Sequence, residues 1–262
     1  MSKICPLFSS SSGNSTYIGT QNGGVLVDVG GSFKGVCESL LAAGGNIDEI
    51  RAVFITHDHD DHIKGLKTLL NKTNAAVYAS EKTLESLIAI GKIPAKTKAV
   101  IIDENPVEVG GITVNRFSTS HDAVGSSGYS FILPDNKRVA VCTDSGIITD
   151  EIHKAISGCD LVLLESNHDI QMLKSGPYPP HLKVRILSDY GHLSNNACAG
   201  ELPLLLNSGT TRFILGHLSQ HNNTPMLAKA TSEAALTAAG ATLGCDCILT
   251  VARPKGNGVT VI

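Results

Sequence analysis

The 262-residue sequence predicts an α/β protein of mixed sheets and helices, and three observations lead there. Short apolar runs of strand type, such as Ala52-Val53-Phe54-Ile55 and Leu161-Val162-Leu163-Leu164, alternate with segments whose apolar residues recur at helical spacing, such as Ile63 to Leu70. Two halves repeat one outline: strands, then a turn bearing metal-ligand side-chain types, then helices. No low-complexity segment or linker separates them. The likeness of the halves fits two sheets face to face with helices outside, in one domain over residues 1–262; periodicity by itself gives only mixed α/β.

Taken in order, residues 3–30 read as three short strands with tight turns. The first two are joined by Phe8-Ser9-Ser10-Ser11-Ser12-Gly13-Asn14-Ser15. Small hydroxyls, Gly and Asn suit either a plain turn or a nest of backbone N–H groups that would hold an anion. Gly24 to Gly30 is a buried strand carrying Asp28 near its end. Residues 33–43 form a helix stopped by Gly44-Gly45. A strand over 52–56 leads into a ligand-rich turn and a helix. Strand Ala75–Ala79 and a helix over 81–90 follow. Strands around the Gly110-Gly111 turn occupy 98–119, and Tyr129–Leu133 pairs with Arg138–Thr143 as a hairpin. A helix over 149–156 precedes strand Leu161–Glu165. The proline-bearing stretch 168–192 reads as a loop and one short helix. Ser194 caps a helix running to about Leu206, strand 212–216 ends at His217, and Pro225 opens an alanine-rich helix that stops near Gly240. Two strands complete the chain.

The chemistry concentrates in Thr56-His57-Asp58-His59-Asp60-Asp61-His62, in the turn between a buried strand and a helix. Rigid elements at both ends let such a turn aim several side chains at one spot. Imidazole and carboxylate together suit zinc, manganese and iron. His57 and His59 alternate along extended chain and can point the same way. Asp61 and His62 diverge from them at the helix start. The simplest geometry is two metals side by side, one on His57 and His59 and the other on Asp61 and His62.

This H-x-H-x-D-H pattern resembles the signature of the metallo-β-lactamase-fold hydrolases. The resemblance implies an αββα sandwich and further ligands at later strand ends. His121 after Phe117-Ser118-Thr119-Ser120, Asp144 after Val139 to Thr143, and His217 after Arg212 to Gly216 stand where it requires them. By that likeness His57, His59 and His121 hold one ion, Asp61, His62 and His217 hold the other, and Asp144 bridges. Asp28 supports the metal loop through hydrogen bonds to its residues. Asp58 and Asp61 are expected to orient the attacking water.

Three features narrow the chemistry. A carboxylate at Asp144 completes a two-metal site. Glu165 and His192 resemble the Glu/His couple of the transfer-RNA-processing and phosphodiesterase branches, in which the histidine donates a proton to the leaving oxygen. The segments Leu164 to Asp169 and Gly191 to Asn195, with the Ser/Gly/Asn turn, are similar to the bacterial YycJ/WalJ (VicX)-like subgroup of phosphodiesterases acting on DNA ends, which implies 5′-exonuclease activity. Under that likeness Ser11, Ser12, Gly13 and Asn14 contact substrate phosphate.

The expected activity is therefore hydrolysis of a phosphodiester, most specifically in DNA, with two divalent ions drawn from Zn²⁺, Mn²⁺ or Fe²⁺. A small or cyclic phosphodiester is the alternative. A glyoxalase-type thioester hydrolase would need a helical C-terminal domain, for which little chain follows His217. A non-catalytic regulatory protein would not need the full ligand set.

Apolar content of 42% and charged content of 17% fit a soluble enzyme. The absence of a signal or spanning segment, with seven cysteines, an odd number, suggests reduced thiols, a cytoplasmic location and no membrane partner. Cys142 and Cys159 read as packing residues, and Cys245-Asp246-Cys247 as strand-edge residues. A net charge of −3 means that a polyanion must be held by a local patch. Lys64, Lys67, Lys72, Lys82, Lys92, Lys96 and Lys98 form one candidate stretch, and Lys174, Lys183 and Arg185 a second. A homodimer is compatible with the sequence. His168 is a weaker site candidate, whereas His153, His181 and His221 read as surface residues.

Overall fold

A computed structural model describes residues 2–262. Strands β1 (Lys3–Ser10), β2 (Gly13–Thr20) and β3 (Gly23–Val27) form an antiparallel meander. Helix α1 (Phe33–Ala42) is capped by Ser32, whose side chain accepts from the Gly35 N–H. It ends where Gly44 takes φ +66°, as the Gly-Gly pair predicts. Strand β4 (Ile50–Phe54), helices α2 (Asp60–Ile63) and α3 (Leu66–Lys72), strand β5 (Ala76–Ala79), helix α4 (Glu81–Ala89) and strand β6 (Ala99–Ile101) complete the first half. The second half runs β7 (Val107–Val109), β8 (Ile112–Ser118), β9 (Ser127–Ile132), β10 (Arg138–Cys142), α5 (Asp150–Ile156), β11 (Leu161–Glu165), α6 (Ile170–Ser175), α7 (Pro180–Leu187), α8 (Asn195–Asn207), β12 (Arg212–Gly216), α9 (Pro225–Ala238) and β13 (Ile248–Val251). The last strand, β14 (Thr260–Val261), returns to pair with β1.

The strands form two seven-stranded mixed sheets, β14-β1-β2-β3-β4-β5-β6 and β13-β12-β11-β10-β9-β8-β7, the first completed by β14 from the end of the second half. The two pack face to face. Ile18, Val27 and Phe54 of the first sheet meet Phe131, Val141 and Leu163 of the second in one apolar cluster. The outer face of the first sheet buries Leu26, Val53 and Val77 against α1, α3 and α4. The outer face of the second buries Val162, Leu164 and Phe213 against α5, α8 and α9. Strands covered on both faces need no polar alternation, which is why Ala52–Phe54 of β4, Leu161–Leu164 of β11 and Phe213–Leu215 of β12 read as unbroken apolar runs. This is the αββα sandwich that the resemblance implies.

Phe54 sits at the centre of the inter-sheet layer. It stacks on Tyr78 at 4.9 Å and meets Tyr129 and Phe131 edge-on at 5.4 and 5.8 Å. Phe54→Ala should cost about 3–5 kcal/mol of stability, the usual range for a fully buried aromatic, read from the urea midpoint; a loss under about 1 kcal/mol would mean that the layer can collapse around the gap.

The structure departs from the sequence reading in two stretches near the site. The turn assigned to Phe8–Ser15 is a two-residue hairpin tip, Ser11-Ser12, because Ser10 pairs with Gly13 and Ser9 with Asn14. The stretch 168–192 holds two short helices, α6 and α7, the first capped by Asp169 onto the Met172 N–H and the second opened by Pro180. No helix of the described residues is long and apolar enough to cross a membrane.

Candidate active site

Parallel pairing gathers the distant residues. Cys142 lies opposite Leu164, and Glu165 opposite Gly216, so β10, β11 and β12 end side by side. Asp144, Glu165 and His217 project from these neighbouring ends. In the first sheet Val27 lies opposite Phe54, which brings Asp28 beside Thr56. Asp28, Asp144 and His217 all take left-handed backbone, with φ of 61°, 59° and 56°. That conformation is costly for a non-glycine residue and persists where surrounding contacts fix it. The two sheets are also tied at the metal loop: the Tyr129 hydroxyl donates to Ile55 O at 2.6 Å, and Ser127 N to Thr56 O at 3.0 Å. Gly30 is required beneath the loop, since a β-carbon there would lie 1.7 Å from Asp61 O.

Ligating atoms of His57, His59 and His121 lie within 4.8 Å of one another, as do those of Asp61, His62 and His217, and those of His57, His62 and Asp144. Asp144 stands between the two trios. Its Oδ2 is 3.2 Å from His62 Nε2, and its Oδ1 is 3.4 Å from His217 Nε2 and 3.9 Å from His121 Nε2. The ring atoms facing away are held by the protein. His57 Nδ1 meets Thr56 Oγ1 at 2.9 Å, His62 Nδ1 meets Asp28 Oδ2 at 2.8 Å, His121 Nδ1 meets Gly191 O at 3.0 Å, and His217 Nδ1 meets Glu165 Oε1 at 2.8 Å. Anchoring Nδ1 leaves Nε2 for a metal. His59 is the exception: its Nδ1 faces His121 Nε2 at 3.3 Å. His57 Nε2 is buried without any hydrogen-bond partner, and Asp144 Oδ2 has only the ion-pair contact with His62 Nε2. Orphaned donor atoms converging in this way are costly unless something binds there, and the donor set fits a divalent metal.

The charges agree. Burial pushes the His57 ring well below its ordinary pKa, and charge on His62 pushes it the same way. Burial would also lower His217, but Asp144, Asp61 and Glu165 overcome it and raise the ring to about 10. His62 is likewise held well above the usual value, against its burial, by Asp144, Asp28 and Asp61. In the metal-free protein these two rings therefore keep a proton at neutral pH that a metal must displace. Adding Zn²⁺ at pH 7 should release protons, and affinity should rise with pH towards the value near 10 at which His217 gives up its proton. Calorimetry in buffers of different ionisation enthalpy measures this; binding with no proton release and no pH dependence would show that the two rings are neutral.

Glu165 is fully buried. Burial alone would raise its pKa, yet charge on His192 and hydrogen bonds from His192 and His217 hold it at about 2. Its Oε1 meets His192 Nδ1 and His217 Nδ1, each at 2.8 Å, while Oε2 accepts from Ser145 N and Leu193 N. The expected Glu165–His192 couple is present. That the same oxygen also holds His217 has no local signal in the chain, since the two residues lie 52 positions apart.

A cleft of about 200 Å³ opens over these residues, lined by Ser11, His59, Asp61, Asp144, His192 and His217 and, from α7, by Leu182, Arg185 and Ile186. Of the four residues expected at a phosphate, only Ser11 lines it. Ser12 Oγ instead accepts from Gln220. Gly13 is buried in β2 against Gly30. Asn14 is also buried, its amide 3.2 Å from Asp61 Oδ2 and 3.1 Å from His62 Nε2. The N–H groups of Ser11 and Ser12 are already spent on Leu218 O and Ser10 Oγ, so no open nest forms. Asp58 turns away to accept from Ser86 Oγ. His168 is buried with both ring nitrogens unpartnered. His181 and His221 are exposed, whereas His153 packs its Nδ1 against the Glu201 carboxylate at 2.6 Å. Six of the seven lysines of the first basic stretch are exposed and none lines the cleft; Lys92 lies 3.5 Å from Asp60. All seven cysteines are free, with Cys142 and Cys159 in the core and Cys245 exposed. A larger cavity of about 350 Å³, bordered by Pro6, Ile214 and Arg253, has no histidine, cysteine or carboxylate in its wall.

The profile of the family described as "Beta-lactamase superfamily domain" matches residues 25–218, which include every residue of both trios as well as Asp144. The chain is 37% identical over 247 residues to a Streptococcus pneumoniae protein named exodeoxyribonuclease WalJ, covering 93% of this chain and 91% of that one. It is 38% identical over 224 residues to a Bacillus anthracis protein named exodeoxyribonuclease YycJ, covering 85% and 84%. The structure superposes on the metallo-β-lactamase fold protein YhfI of Bacillus subtilis with a TM-score of 0.75 over the full length of both chains, at 16% identity. The chain belongs to the β-lactamase superfamily, in the family that includes WalJ and YycJ.

Proposed function

We propose that the protein is a metal-dependent phosphodiesterase that degrades DNA from a strand end, working with two divalent ions. The observation that carries this reading is the convergence of the two ligand trios on Asp144, with His57 Nε2 left unpartnered at their centre. Relatives named exodeoxyribonucleases, similar over nearly their whole length, support the substrate. His57, His59 and His121 would hold one ion, Asp61, His62 and His217 the other, and Asp144 both. Zn²⁺, Mn²⁺ and Fe²⁺ all suit these donors.

Bound there, the ions would supply hydroxide near neutral pH and neutralise charge on the phosphate oxygens. The chain's own groups do the rest. Asp61, steadied by the Asn14 amide, orients water at the edge of the cluster. His192 faces the cleft with Nδ1 fixed on Glu165, so Nε2 is free to hold a proton and pass it to the departing oxygen. Ser11 offers its hydroxyl to a phosphate oxygen in the cleft. The 5′ polarity follows from the resemblance. Residues 1–262 act as one unit in this reading, since both sheets contribute ligands and no second copy is needed. DNA as substrate supports a cytoplasmic location.

A second reading, hydrolysis of a small or cyclic phosphodiester, is favoured by the cleft volume of about 200 Å³, below the roughly 300–1,000 Å³ of ordinary ligand pockets. One assay separates them. End-labelled and circular DNA and RNA, a cyclic nucleotide and bis(p-nitrophenyl) phosphate are incubated with each metal. Loss of label from linear DNA with circular DNA spared supports the first reading. Hydrolysis of the cyclic nucleotide alone would replace it with the second, and no hydrolysis of any substrate would remove both.

A further inference from the structure

A DNA strand brings a second phosphate one nucleotide away from the one being cut, and none of the residues above is left to receive it. We propose that Arg185 on α7 binds this neighbouring phosphate, held ready by Asp122. The inference rests on the phosphodiesterase reading and adds to it a residue for polymer recognition.

Arg185 is the one lysine or arginine among the residues lining the cleft, which it shares with His59, Asp61, Asp144, His192 and His217. Its Nε and Nη2 donate to the two oxygens of Asp122, the second at 2.8 Å. This two-point pairing fixes the plane of the guanidinium. Nη1 makes no hydrogen bond among the described residues, and the side chain is 44% exposed, so one amino group of this cleft-lining fork is left without a protein partner. Asp122 follows His121 in sequence and its Oδ1 lies 3.5 Å from His121 Nε2, which places the pair at the rim of the metal-ligand cluster. An arginine keeps its charge at any working pH, matches phosphate oxygens geometrically and, once oriented, loses little freedom on binding. Leu182 and Tyr178 line the same wall and offer an apolar surface beside it for a sugar or base.

The competing role is purely structural: Asp122 and Arg185 could pin α7 to the loop carrying His121. The wall has other attachments, however. Ile186 is buried, His192 N donates to Ile186 O at 3.1 Å, and Ser120 Oγ donates to Asp189 O at 2.7 Å. An ion pair this exposed adds little to them.

The test compares the full-length metal-loaded protein with Arg185→Gln and Arg185→Lys on end-labelled duplex DNA and on bis(p-nitrophenyl) phosphate, which has no second phosphate. Losing one charge-assisted hydrogen bond should lower kcat/KM about 10- to 100-fold further on DNA than on the small ester. Most of that loss should appear in KM, with metal content kept. Arg185→Lys should recover only part, because an ammonium cannot both pair with Asp122 in two-point fashion and reach the phosphate. A fall of equal size on both substrates, or a loss of metal, would assign the pair to structure and overturn the proposal, as would an unchanged KM for DNA. If the unaltered protein hydrolyses the small ester but no DNA, the DNA reading itself fails and takes this proposal with it, before any variant is made.

Discussion

Asp144→Asn should yield a folded protein that no longer carries its full metal complement and no longer hydrolyses any substrate. Asparagine is the informative replacement. Asp144 sits at φ 59°, where alanine would add backbone strain but asparagine is tolerated. The amide keeps the volume and removes the charge between the two trios. Asp28 and Glu165 remain, so His62 and His217 stay oriented. What is lost is the anionic oxygen pair within 3.2–3.9 Å of His62, His217 and His121. Removing a residue that only supports a ligand costs roughly 10–100-fold in metal affinity or activity; loss of a group shared by both trios should cost more. Elemental analysis with an activity assay reads the result. Retention of two ions and more than a tenth of the activity would show that Asp144 does not join the trios.

How far the sequence foretold this site depends on where each contact lies. The first four ligands were legible because they share one turn, and local spacing reports local geometry. His121, Asp144 and His217 were found only by resemblance. Each is an ordinary strand-end residue until parallel pairing of β10, β11 and β12 and packing of the two sheets bring it in. The left-handed backbone at Asp28, Asp144 and His217 was invisible, since tertiary contacts rather than propensity hold it. The serine-rich turn misled for a related reason. Its composition suits a nest as well as a plain turn, but the β1–β2 register runs almost to the tip and the N–H groups there are spent on Leu218 O and Ser10 Oγ. Asn14, placed at a phosphate by the resemblance, is instead buried against Asp61 and His62. Arg185 stood out only as one basic residue among several; its role at the cleft comes from Asp122, 63 positions earlier.

His192→Ala should separate proton delivery from metal binding. His192 is not in either trio; its Nδ1 lies 2.8 Å from Glu165 Oε1, and the opposite side of the ring faces the cleft. Truncating it leaves Glu165 with three partners, the His217 ring and the N–H groups of Ser145 and Leu193, so His217 stays in place and metal content should not change. The loss should depend on the leaving group. Cleavage of DNA expels a sugar alkoxide that must be protonated, and absence of a positioned acid costs about 10²–10⁴-fold. p-Nitrophenolate leaves unaided, so the same variant should lose far less on bis(p-nitrophenyl) phosphate. Glu165→Gln supplies the contrast: because one oxygen holds both His192 and His217, that change should lower metal affinity and turnover together. Equal losses on both substrates for His192→Ala would mean that the ring positions the phosphate rather than protonating the leaving oxygen, and loss of metal in that variant would make it a support for His217.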